Sequence, residues 1–71
     1  MRILEKTEMK RLPGSFSCVF QLKKDNFNKF VTWLDTNKIL NENERFDSKF
    51  ILIRAVITDK QLTMLALTFA E

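Results

Sequence analysis

The chain contains no histidine and no tyrosine, and it has one cysteine, one glycine and one proline in 71 residues. Each scarcity removes a class of chemistry. Without histidine there is no side chain that titrates near neutral pH at its ordinary pKa, and the commonest metal ligand is missing. A lone thiol, Cys18, allows no internal disulfide, and no Cys/His spacing of a zinc site exists. With Gly14 as the only glycine, no G-x-G-x-x-G loop, P-loop or G-x-S-x-G elbow can be written. The carboxylates Glu42, Glu44 and Asp47 lack the spacing of a calcium loop and read as a solvated segment. The expectation is therefore a protein that is not an enzyme and has neither a cofactor nor a small-molecule substrate.

Targeting signals are equally scarce. Glu5 and Glu8 interrupt the N-terminal stretch where a secretory signal would carry its apolar run. The apolar segment Leu62–Phe69 is far shorter than the roughly 20 residues that span a bilayer. An unpaired cysteine and the lack of an N-x-S/T acceptor fit a reducing compartment, so a cytoplasmic location away from the membrane is expected.

What is present is a single small α+β domain over residues 1–71. Hydrophobic residues make up 45% and charged residues 30%, too apolar for disorder. A chain of this size buries only about 60% of its unfolded surface, so a second copy or a partner protein is the remaining source of support.

Several segments carry a clear period. Phe16, Cys18, Phe20 and Leu22 alternate with Ser15, Ser17, Gln21 and Lys23, with Val19 the exception, which predicts a strand over 15–23 covered on one face. Cys18 falls on its apolar face, as a buried and inert thiol. Phe27, Phe30, Val31 and Leu34 at i, i+3, i+4, i+7 predict a helix over 26–37, with Asp25 as N-cap and Asn37 as the left-handed residue at its end. Phe50–Ile57 is apolar on both faces except for Arg54, which predicts a central strand, over 49–57, covered from both sides.

The remaining segments are less regular. Pro13-Gly14 fits positions i+1 and i+2 of a type II turn, which could close a hairpin between residues 6–12 and the following strand. Residues 39–49 read as a polar connection, with at most a short irregular strand around Arg45–Phe46. In the tail, Thr58 and Gln61 match a T-x-x-Q capping box opening a helix whose stripe is Leu62, Leu65, Ala66 and Phe69. The alternative is a hairpin turning at Asp59-Lys60, without the glycine such turns favour. The fold expected is thus a β-α-β core with a C-terminal helix, or β-α-β-β with a C-terminal hairpin.

Two binding hypotheses follow. The first is a protein-binding regulator or inhibitor acting by steric occlusion, as a homodimer or with a partner. Its candidate interface residues are Trp33, off its helix stripe; Arg54, a lone charge in an apolar strand; and Met64 and Leu67, which point away from the tail's stripe. The second is a nucleic-acid-binding regulator. The net charge is +3, and residues 1–24 carry six cations against two anions. Lys10, Arg11, Lys23 and Lys24, with Arg2, are its candidate phosphate contacts. Phe16 and Phe20 lie on the apolar face of their strand and read as core, not as stacking platforms.

Overall fold

The computed structural model describes residues 1–69. Four strands, β1 (Arg2–Glu8), β2 (Ser15–Lys23), β3 (Asn41–Phe46) and β4 (Phe50–Thr58), form one antiparallel sheet in the order β1-β2-β4-β3. Helices α1 (Phe27–Thr36) and α2 (Asp59–Thr68) both lie against one face of it. The tail is therefore the helical alternative and not the hairpin; Ala70 and Glu71, which the sequence reading included in that segment, lie outside the described residues.

The core follows from the strand period. Cys18, Phe20 and Leu22 of β2 and Ile51, Ile53, Ala55 and Ile57 of β4 point toward the helices, which return Phe30, Leu34, Leu62 and Leu65. Phe30 joins the layers: its ring lies 5.4 Å from Phe20 on the sheet and 5.2 Å from Phe69 beyond α2. Such tilted aromatic contacts add to the area buried. The stripe expected on α2 is narrower than the sequence reading, since Ala66 is exposed.

The chain reversals show why each element stops. Leu12-Pro13-Gly14-Ser15 forms the expected turn: Ser15 N–H donates to the Leu12 carbonyl at 3.0 Å and Gly14 has φ +85°. It closes the β1–β2 hairpin. Thr58 caps α2 in a full capping box. Its hydroxyl accepts from Gln61 N–H at 3.2 Å, and the Gln61 amide oxygen accepts from Thr58 N–H at 3.1 Å. Within α2, Thr63 and Thr68 donate their hydroxyls to the carbonyls of Asp59 and Met64 one turn back.

Four local expectations are corrected. Asp25 makes no cap, because the chain enters a 3₁₀ turn at Lys24–Asn26 and the residue before α1 is already helical. The left-handed residue is Lys38, at φ 57°, not Asn37. Ile39 N–H donates to the Leu34 carbonyl and Lys38 N–H to the Asp35 carbonyl, a Schellman closure that places the left-handed position one residue later. Residues 41–46 are a full edge strand with a bulge between Asn43 and Arg45. Finally, β4 is internal but covered by helices on one face only. Leu52, Arg54 and Val56 lie on the open face and are half-buried by their neighbours' side chains.

Candidate functional site

Three surfaces gather the candidate residues, and they are separate. The first is the open face of the sheet, organised by Arg54. Register places Glu5, Val19, Arg54 and Glu42 in one row across all four strands. Arg54 Nε donates to Glu44 on β3, its Nη1 donates to the Ser17 hydroxyl at 2.9 Å on β2, and its Nη2 lies 3.7 Å from Glu5 on β1. One guanidinium on β4 thus reaches every other strand. The hydrogen bond to Glu44 is the main reason its pKa is raised above the ordinary arginine value. Flanking Glu5 and Glu42 add to it, so the group is held charged. The long side chains laid over this row leave Val19, on the uncovered face, only 7% exposed. Arg54 therefore has the carboxylate partners its apolar strand demanded.

The second surface is the outer side of α2. Met64 and Leu67 are 47% and 78% exposed, on the side of the helix opposite buried Leu62 and Leu65. From Gln61 to Thr68 the helix carries no charged residue. Trp33 belongs to the other helix. It packs partly against the core while its outward side borders a shallow depression with Asn28, Lys29, Thr32 and Thr36. Arg54 is on the opposite side of the sheet from Trp33, Met64 and Leu67, so the four do not form one patch.

The third surface is basic. Lys10 and Arg11 sit in the β1–β2 turn, whereas Lys23 ends β2 at its other end and Lys24 follows it. The nine residues of β2 separate them by about 26 Å. The proposed set is thus split. Lys23 and Lys24 instead meet Arg2 and Lys49 around Phe50, in two adjoining depressions.

Beneath the helices, Cys18 is fully buried. Burial pushes its thiol pKa up; Lys6 opposes this and Asp59 adds to it. Lys6 lies across Phe16, 4.3 Å from the ring centroid, and pairs with Asp59 at 3.3 Å, so it ties edge strand β1 to the start of α2. Among the described residues, no group of three His, Cys, Asp or Glu side chains is placed to hold a metal ion, and no helix is long and apolar enough to cross a membrane.

Sequence reasoning grouped Arg2 with Lys23 and Lys24 but missed Lys49 and Phe50 as their neighbours. The signal was indirect, since only the β2–β4 register, Lys23 opposite Phe50, brings them together. It also missed Glu44 and Glu5 as Arg54's partners, although a lone arginine in an apolar strand next to a Glu-rich segment pointed that way. Comparison with protein-family models, with curated proteins and with solved structures finds no match for this chain.

Proposed function

We propose that this chain is a non-catalytic protein-binding domain that acts by covering a partner's surface, with the outer face of α2 as its contact and a second copy of the chain as its first partner. The observation that carries this reading is the uncharged run from Gln61 to Thr68, with Met64 and Leu67 exposed, in a chain where 30% of residues are charged. Depletion of charge around large apolar side chains characterises the centre of protein interfaces. Methionine suits such a surface because its flexible thioether adapts to varied partners.

A two-fold contact sets the same helix against itself, so one uncharged face suffices for both sides. The small core of the domain adds a reason, since association buries apolar area that one copy cannot. A cytoplasmic setting is part of this proposal. Sedimentation equilibrium at micromolar concentration tests it: the wild type should give twice the 8.4 kDa chain mass, and Met64→Ser with Leu67→Ser should give the single-chain mass. A wild-type monomer over the whole concentration range removes the self-association.

A further inference from the structure

We propose that the end of the sheet where β2 leaves and β4 enters is a binding site for a single-stranded nucleic acid, separate from the α2 face. Lys23 closes β2 and is the cross-strand partner of Phe50, the first residue of β4. Two depressions meet at this pair. One is lined by Lys23, Lys24, Asp25, Ser48, Lys49 and Phe50, the other by Met1, Arg2, Gln21, Lys23 and Phe50. Arg2, Lys23, Lys24 and Lys49 therefore surround one aromatic ring, with Asp25 the only carboxylate in either lining.

Four basic side chains here lack the carboxylate partners that cations within the strands have elsewhere in the sheet. Lys6, Arg45 and Arg54 each pair with a carboxylate, while Arg2, Lys23, Lys24 and Lys49 have no ion-pair partner among the described residues. Among the lining side chains, four cations stand against Asp25, a balance of +3. A site with this balance favours a polyanion.

Phe50 decides which polyanion. It lies on the open face in the same row as Lys23 and is half-buried, so its ring is held in place yet reachable. A ring between two cationic depressions suits one base stacked on the aromatic, with the flanking phosphates on either side. In a duplex the bases are already stacked on one another, so an unpaired strand is the form that uses the ring. An acidic peptide would use the charges but not the stacking.

Fluorescence anisotropy with a short labelled oligothymidine and its uridine counterpart tests the site. Expected are saturable binding at low salt and a log–log salt slope of about −3, for four phosphate contacts on a single strand. Lys23→Glu with Lys49→Glu should abolish binding, whereas Lys10→Glu with Arg11→Glu, at the far end of β2, should leave most of it. Phe50→Leu keeps the apolar bulk and should weaken binding about tenfold. Phe50→Tyr restores a ring and should bind like the wild type. Trp33 fluorescence reports whether each variant is folded. The proposal is overturned by no binding to either strand at low salt, by equal affinity for polyglutamate, for anionic vesicles or for duplex of the same length, or by folded Phe50→Leu and Phe50→Tyr variants that bind alike.

Discussion

Replacing Thr58 by alanine tests whether α2 is part of the cooperative fold or an appendage to it. The substitution removes the hydroxyl that accepts from Gln61 N–H and leaves the Gln61 side chain without its reciprocal geometry. Loss of an N-cap costs about 1 kcal/mol, within a range of about 0.5–2. A chain of 71 residues has a total stability of about 4 to 11 kcal/mol at the usual value per residue, so the loss is a substantial fraction. In a domain this small it should lower the melting temperature by about 4–8 °C.

The informative assay uses two probes. Trp33, the only tryptophan, is in α1, and far-UV circular dichroism reports both helices. Leu62 and Leu65 are buried in the shared core and the Phe69 ring packs tilted against Phe30, so α2 should unfold with everything else. Urea midpoints should then fall together by both probes. Thr58→Ser keeps the acceptor oxygen and should recover most of the loss. If Trp33 keeps its wild-type midpoint while helical signal alone declines, α2 frays independently and the shared-core account is wrong.

Other outcomes follow from single residues. Lys38→Gly should stabilise by about 1 kcal/mol, since glycine adopts the left-handed Schellman position without the strain lysine carries there, as a shift in urea midpoint would show. Gly14→Ala should destabilise by about 1 kcal/mol through φ +85° alone, because a Cβ there meets nothing within 4 Å. The raised Cys18 pKa means that the unfolded chain loses its thiol proton first as pH rises. Stability is thus intact below about pH 8.5 and declines above it, toward the higher folded value, and Cys18→Ala should flatten that decline relative to wild type in pH-dependent denaturation. Arg54→Met should lower the melting temperature by leaving Glu5, Glu42 and Glu44 uncompensated, and molar salt should narrow its deficit; a deficit that salt leaves unchanged would refute the electrostatic account.

The elements legible in the sequence were those with a one-sided apolar period, together with β4, which was found from its continuous apolar run. β2, α1, β4 and α2 each set large side chains at helical or strand spacing against the same core, and the Pro13-Gly14 turn and Thr58 capping box mark boundaries by local chemistry. β1 and β3 were glimpsed only in part, as a hairpin arm over 6–12 and a short strand around Arg45–Phe46, because an edge strand is wet on both faces. All seven residues of β1 are exposed, and a bulge between Ile3 and Glu5 breaks the alternation. β3 reads N-E-N-E-R-F, and its carboxylates gain meaning only when Arg54 stands beside them. At the sites, Met64 and Leu67 could be located from helix phase alone. The cluster around Phe50 could not, since it depends on which residue faces Lys23 across the sheet.

The reach of Arg54 bears on how copies of this chain can assemble. A sheet with two free margins invites another chain to add a strand, and repetition of that step produces fibres. Here both margins are bent by bulges, and each offers Arg54 a carboxylate at its bulge, Glu5 on one side and Glu44 on the other. Both outer strands are thereby drawn toward the middle of the sheet, and their rows of charged side chains would have to be desolvated before a newcomer could pair. Growth by strand addition is discouraged at both margins, so the pairing proposed through α2 would stop at a closed pair instead of continuing along the sheet.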